Sequence, residues 1–204
     1  MANFLKLFFT NCANPKGRMG RIILQFMNFG HAPLTNWGLQ KINIQEKWTM
    51  LDIGCGGGAT LKRLLKRSKD CQVYGIDISE ESIAKARKVN SKQLDKQVFI
   101  CQGSADDLPY EDNKFELVTA VETIYFWKNL PHCLQEVRRV LKTKGYFTIM
   151  IEILDNNTIW TDLVEGMKAY SPEELKEMLE DAGFINIEIH RKKPSYATII
   201  SINP

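Results

Sequence analysis

The hydrophobic period of this chain switches repeatedly between about 2 and about 3.6 residues, which marks strands alternating with helices. Apolar or alternating runs predict strands at Trp48–Ile53, Gln72–Asp77, Gln97–Gln102, Phe115–Val121 and Tyr146–Ile153. Helical stripes lie between them. One passes through Leu61, Leu64 and Leu65, and the next starts after Ser79, with Glu80 and Glu81 suited to the positive end of a helix. A later stripe carries Leu134, Val137, Val140 and Leu141, with Gly145 expected to stop it. Repeated strand–helix units call for a parallel sheet covered by helices on both faces.

In the C-terminal quarter the alternation breaks. Ser171-Pro172-Glu173-Glu174 reads as a capping box that opens a helix with Leu175, Met178, Leu179 and Ala182 on its apolar face. Gly183 supplies the left-handed stop. Strands Phe184–His190 and Tyr196–Ile202 follow with only a short turn between them, so they must run antiparallel. Residues 1–47 precede the first strand and carry an apolar surface of Ile22, Ile23, Phe26, Met27 and Phe29. They are expected to form an N-terminal helical cap over the sheet's carboxyl edge, with residues 48–204 as the core.

Composition narrows the class. A length of 204 residues suits one domain with a small appendage. With 44% hydrophobic and 25% charged residues, the chain is neither a disordered tail nor a fibre nor a disulfide scaffold. The 27 Lys and Arg against 24 Asp and Glu leave a net charge of only +3, without the concentrated basic face of a nucleic-acid binder. Lys62-Arg63, Lys66-Arg67 and Arg191-Lys192-Lys193 read as solvated faces. Cys12, Cys55, Cys71, Cys101 and Cys133 are odd in number and scattered, which argues against a metal site and for reduced thiols in the cytoplasm. No apolar run is long enough to cross a bilayer, and the opening MANFLKLFFTN is too short for a secretory signal.

The stretch Leu51-Asp52-Ile53-Gly54-Cys55-Gly56-Gly57-Gly58-Ala59 carries the most chemical information. A buried strand ends, glycines turn the chain, and a helix opens near Gly58, offering close backbone approach and unpaired N–H groups to an anion. The second strand ends in Asp77, whose carboxylate would sit beside that loop and accept bonds from ribose hydroxyls. Gly54-x-Gly56-x-x-Ala59 also fits a dinucleotide fingerprint. However, Asp52 suits an α-ammonium better than a pyrophosphate. No hydride-transfer residues are evident either: Tyr110-x-x-x-Lys114 falls in a loop after Pro109.

Taken together, LDIGCGGG, GIDIS, GSADDLPY, the strand Phe115–Val121 and LQEVRRVLKTKGYFTI resemble the ordered motifs of class I S-adenosylmethionine-dependent methyltransferases. The resemblance is closest to the small-molecule, ubiquinone/menaquinone-biosynthesis-like branch, strong over residues 48–153 and in outline over 171–202. It implies a Rossmann-like, doubly wound, seven-stranded mostly parallel sheet with a C-terminal antiparallel hairpin, and S-adenosyl-L-methionine as cofactor. By the same resemblance Gly54, Cys55 and Gly56 wrap the methionine part and Asp52 helps hold its ammonium, directly or through water. Asp77 takes the ribose hydroxyls, Ile78 packs on adenine, Ala105 meets the adenine edge, and either Ser104 or Asp106 meets its amino group. Val121 lies near the sulfonium. Lys142-Thr143-Lys144-Gly145 stands where the family usually reads KPGG, a departure expected to be local.

Acceptor-side candidates are the run Glu122-Thr123-Ile124-Tyr125-Phe126-Trp127 after the fourth strand, and Met27, His31 and Trp37 in the cap. Tyr125 and Trp127 would line an aromatic pocket, with His31 or Glu122 removing a proton, or these residues simply pack the cap. Cys55 reads as a small residue close to the backbone, not a nucleophile. Motifs of nucleic-acid methylation are missing, which favours a small-molecule acceptor. The alternative from another class is a non-catalytic module that senses S-adenosylmethionine or S-adenosylhomocysteine, or a partner subunit.

Overall fold

The computed structural model describes residues 29–153, 167–192 and 195–204, together with Gly17 and Gly20. Cys12, Ile22, Ile23, Phe26 and Met27 lie outside the described residues. β1 (Thr49–Ile53) is buried at every position but its first, because it is flanked by strands and covered on both faces. It pairs in parallel with β2 (Gln72–Asp77), which pairs with β3 (Val98–Gln102). On its other side run β4 (Phe115–Val121) and then β5 (Leu141–Glu152), also parallel. β6 (Ile185–Lys192) and β7 (Tyr196–Ile202) complete a seven-stranded sheet of order β3-β2-β1-β4-β5-β7-β6.

The hairpin differs from the simplest expectation in one respect. β7 inserts antiparallel between β5 and β6, so the chain's last strand is internal and β6 forms the edge. Composition explains the order: β7 is buried at five successive positions, whereas β6 carries charged and half-exposed residues that suit an edge.

Helices α1 (Ala32–Leu39), α2 (Ala59–Leu65) and α3 (Glu80–Val89) cover one face, and α4 (Leu130–Val140) and α5 (Pro172–Asp181) the other. Leu34, Leu39, Leu61 and Leu64 pack on Met50, Val73 and Leu117 beneath the first layer. Leu134, Val137, Leu175 and Leu179 pack on Leu51, Val118 and Phe147 beneath the second. The capping box is present in full: Ser171 Oγ accepts from Glu174 N–H, and Glu174 accepts from Ser171 N–H. The described helix of the N-terminal segment, α1, lies flat on the sheet face. Gly38 permits this, since a Cβ there would stand 2.7 Å from Met150 Sδ and 2.8 Å from Thr198 Oγ1.

Two local expectations are corrected. Gly145 does not stop α4; that helix ends at Val140, and Leu141 is already extended and paired with Phe115 of β4. Gly145 is needed instead for close approach, because a Cβ would lie 2.8 Å from the Lys142 carbonyl oxygen and 3.1 Å from that of Phe115. Lys144 takes the left-handed turn, at φ +64°. The basic pairs of α2 are only half solvated: Lys62 and Lys66 are exposed, but Arg63 and Arg67 are half-buried, and Arg67 donates to Asn36 Oδ1 of α1 at 3.2 Å.

Gly58 is the N-cap of α2, at φ +77°. A Cβ there would meet Asn90 Nδ2 at 2.6 Å and Ala86 Cα at 2.8 Å, where α3 crosses the start of α2. Left-handed strain of about 1–2 kcal/mol adds to an overpacking cost of about 1–3 kcal/mol. Gly58→Ala should therefore lose about 3 kcal/mol of stability, seen as a fall in the urea midpoint. An unchanged midpoint would show that the junction relaxes freely.

Candidate active site

Strand order reverses at β1, from which the chain runs outward through β2 and β3 before returning to β4. The two connections leave the carboxyl ends of β1 and β4 in opposite directions and open a crevice between them. A glycine-rich loop follows β1 at its edge. Gly54, Gly56 and Gly58 all take positive φ, at 70°, 50° and 77°, which L-residues with side chains rarely adopt. Gly54 and Cys55 both donate their N–H to the Ile76 carbonyl, at 2.8 and 3.0 Å, which fastens the loop to β2. Above the loop sits Thr123: a methyl group on Gly54 would overlap its hydroxyl and come within 2.7 Å of its Cβ.

Asp77 is the hub of the site. Oδ2 accepts from Gly56 N–H at 2.8 Å and Oδ1 accepts from Ser79 N–H at 2.9 Å, so the carboxylate joins the glycine loop to the start of α3. Burial raises its pKa, and the Ser79 and Gly56 N–H bonds oppose the rise. The Ser82 hydroxyl also bonds to it, and since a carboxylate has about four acceptor positions, these three bonds leave room for a ribose hydroxyl. The Asp77 carbonyl accepts from Gly103 N–H at 3.1 Å, which brings in the third loop. That loop is stapled to α4. Leu108 N–H donates to Glu136 at 3.0 Å, and His132 Nε2 lies 3.0 Å from the Asp106 carbonyl oxygen.

These elements enclose a cleft of about 220 Å³. Of the residues expected to hold a cofactor, Gly54, Asp77, Ile78, Ser104, Ala105 and Asp106 line it together. Ile78 is 49% exposed, an apolar surface facing the opening. Asp52, Cys55, Gly56 and Val121 stand outside its lining. Asp52 is buried, accepting from Thr119 Oγ1 at 2.6 Å; burial pushes its pKa up to about 7, with the Thr119 bond opposing and the Asp77 charge adding. Burial also pushes the Cys55 thiol well above its usual range, so no nucleophilic thiolate forms there. Gly56 meets Asp77 as above, and Val121 ends β4 opposite Met150.

The cleft also draws on Gly103, Thr123, Phe126, Trp127, Lys128 and Cys133. Of these, Gly103 belongs to the motif expected at the adenine, and Thr123, Phe126 and Trp127 to the acceptor-side run, whereas Lys128 and Cys133 were not expected at the site. The signal for Thr123 is its position two residues past β4; the side chain itself carries none. Trp127 is buried and stacks on Phe147, with ring centroids 6.4 Å apart. Tyr125 is a core ring outside the cleft lining, and its hydroxyl donates to the Glu152 carbonyl at 2.9 Å.

Beside the cleft, Glu122 takes φ +54° at the end of β4. Its Oε1 accepts from the backbone N–H of Glu152 and lies 3.3 Å from the Tyr125 hydroxyl. Burial raises its pKa to about 8, and the Glu152 carboxylate adds to the rise. His31, at the start of α1, is depressed by burial, while Glu152 pulls it back up and Arg63 pushes it further down. His31, Glu122, Tyr125 and Glu152 thus share one electrostatic neighbourhood at the carboxyl edge.

The raised Glu122 has a stability consequence. The folded state keeps a proton that the unfolded chain releases above its ordinary value of 4.5, so stability falls as pH rises from there to about 8. Glu122→Gln removes that dependence and keeps an oxygen for the Glu152 N–H. Discounted for solvent screening of a partly accessible side chain, the variant should gain about 2 kcal/mol at pH 8 and nothing at pH 4. Urea unfolding at the two pH values checks this; an equal gain at both would locate the effect elsewhere.

A doubly wound sheet whose switch point joins a bare glycine loop to an acid ending the second strand defines a protein that binds a nucleoside-containing ligand. The comparisons with known proteins name the group. Residues 44–183, more than half of the chain, match the family of the methyltransferase domain, and the chain belongs to that family. It is a class I S-adenosylmethionine-dependent methyltransferase, and S-adenosylmethionine is its cofactor. It is 33% identical over 142 residues to (+)-O-methylkolavelool synthase of Herpetosiphon aurantiacus, which spans 69% of this chain and 46% of that protein. The chain thus covers less than half the length of that relative. It is 28% identical over 167 residues to the methyltransferase YdaC of Bacillus subtilis, covering 78% of this chain and 83% of that one. In fold it is similar to a SAM-dependent methyltransferase from Aquifex aeolicus, with TM-score 0.77, 21% identity, and coverage of 90% of this chain and 98% of that one. Among the described residues, no helix is long and apolar enough to cross a membrane.

Proposed function

We propose that this chain methylates a small molecule, with the donor lying along the cleft from Ile78 to Thr123. The observation that carries the reading is Asp77, buried between two loops, tied to Gly56 and Ser79, and lining the cleft. Gly54, Cys55 and Gly56 wrap the methionine part and Asp52, buried behind the loop, helps hold its ammonium through water. Asp77 accepts from the ribose hydroxyls, Ile78 and Ala105 flank adenine, and Ser104 or Asp106 accepts from its amino group. Val121 stands near the sulfur. When bound, the cofactor supplies a methyl group on a cationic sulfur that leaves as a neutral thioether. The protein therefore needs chiefly to align the acceptor and exclude water.

Residues 1–47 serve as the cap of this reading and 48–204 as its core; the position of His31 in the electrostatic field of Glu152 supports that division. On the acceptor side, Glu122 or His31 receives a proton in this reading, and the bond from the Tyr125 hydroxyl to Glu122 supports the role of Glu122. A reducing cytoplasm fits the free thiols of Cys55, Cys71, Cys101 and Cys133.

The test is release of S-adenosylhomocysteine from S-adenosylmethionine, with a cell extract split by size into small-molecule and macromolecular fractions. Release with the small-molecule fraction is expected. Release confined to the macromolecular fraction would transfer the acceptor to protein or RNA. No release with either, alongside retained cofactor binding, would favour the sensing module.

A further inference from the structure

Resting on the methyl-transfer reading, we propose that the acceptor is an amine that enters as its ammonium ion and is received by the pair Glu122 and Glu152. The two oxygens of Glu122 are unequal. Oε1 is taken by the Glu152 N–H and the Tyr125 hydroxyl, whereas Oε2 has no partner among the described residues. Oε2 is also absent from the buried, unpaired polar atoms, which among the described residues are only the hydroxyls of Thr148 and Thr198. It is the open oxygen of a carboxyl flanked by a cleft residue, Thr123.

The Tyr125 hydroxyl has one proton and two acceptors, the Glu152 carbonyl at 2.9 Å and Glu122 Oε1 at 3.3 Å. Turned to Glu122, it stabilises the ionised carboxylate. Turned to Glu152, it releases a neutral carboxyl at no cost in unmade bonds. Glu122 can thus gain or lose a proton on Oε2 while every donor around it stays satisfied. Glu152 adds a second carboxylate to the neighbourhood, held by Ser195 Oγ at 2.8 Å in the turn before β7.

The sign of the charge selects the acceptor class. The Glu152 charge acts both on Glu122, just past β4, and on His31, the N-cap of α1, which burial holds toward its neutral form with Arg63 of α2 the cation acting on it. Once Glu122 is ionised, toward pH 8, an anionic phenolate or carboxylate would meet repulsion from both glutamates, whereas an ammonium gains two attractions and has a base for its proton. Proton and charge then balance. The ammonium yields one proton to Glu122 Oε2, and the freed nitrogen lone pair forms the N–C bond as the C–S bond breaks toward sulfur. A methylated ammonium and a neutral thioether result.

The first test is binding without turnover. In calorimetry, benzylamine should bind at least about tenfold more tightly than benzyl alcohol, and Glu122→Gln should abolish the preference. Equal affinities would overturn the assignment. The second follows S-adenosylhomocysteine release with benzylamine and ethanolamine against phenol, catechol, benzoate and mercaptoethanol. Amine-dependent release is expected, with a rate that rises toward pH 8; in Glu122→Gln the rise should vanish and the rate should fall about 100-fold. Glu152→Gln should raise the KM for the amine and leave that for S-adenosylmethionine unchanged. Release confined to the oxygen or sulfur acceptors would overturn the amine and leave methyl transfer standing. No release with any probe would remove methyl transfer, and the amine with it.

Discussion

Gly54→Ala is expected to weaken binding of S-adenosylhomocysteine by at least about 100-fold. Two costs combine: about 1–2 kcal/mol for a side chain in the left-handed region, and about 1–3 kcal/mol for the overlap with Thr123. Both fall on the same atoms. Gly54 occupies the end of β1 with its N–H fixed to Ile76, so the loop cannot swing away without breaking its attachment to β2. Thr123 follows the end of β4 and leaves no room on the other side. Relief therefore comes from pushing the two loops apart, which deforms the crevice where the ligand lies. Calorimetric titration measures the loss. An affinity within a factor of three of wild type would show that the ligand does not rest on this loop.

Asp77→Ala is expected to cost about 1.5–3 kcal/mol of binding, roughly 10- to 150-fold in affinity, the range for hydrogen bonds to a charged group. The effect has a direct and an indirect part. The ribose would lose its acceptor, and Gly56 and Ser79 would lose theirs, so the loop and the start of α3 would no longer be held together. Asp77→Asn separates the parts, because one amide oxygen can still accept while the amide nitrogen cannot. It should fall between wild type and alanine. Equal losses for both variants would place the whole effect in charge, and no loss in either would remove Asp77 from the site.

Much of the core was legible because its signals are local. β2 and β4 begin and end where the hydrophobic run predicts, since each is bounded by turn residues and buried on both faces. Ser171 with Glu174, and Ser79 before α3, announce helix starts through bonds spanning three residues. The glycine loop with Asp77 could be read because backbone freedom and a lone acid in an apolar strand leave few alternatives.

What the sequence did not disclose depends on contacts far apart in the chain. The insertion of β7 beside β5 follows from burial across three strands, and a two-strand pattern cannot express it. Gly145 looked like a helix stop, yet its role is set by the carbonyl of Phe115, thirty residues earlier. On the acceptor side, Tyr125 read as an aromatic wall; its hydroxyl instead joins Glu122 to Glu152, a residue that carries no motif. Ser195, which holds Glu152, is further still along the chain. The crevice at the switch point was therefore largely readable from short motifs, while the bonds that join Glu122, Tyr125 and Glu152 follow only from the pairing of β4 with β5.

The central claim is that the cleft between the glycine loop, Asp77 and the loop of residues 103–106 holds S-adenosylmethionine. Calorimetric titration of the wild-type chain with S-adenosylmethionine, S-adenosylhomocysteine and NAD tests it most directly. The account predicts one site per chain for each sulfur compound, weakened in Asp77→Ala, and no heat of binding from NAD. Saturable NAD binding without a response to either sulfur compound would contradict it.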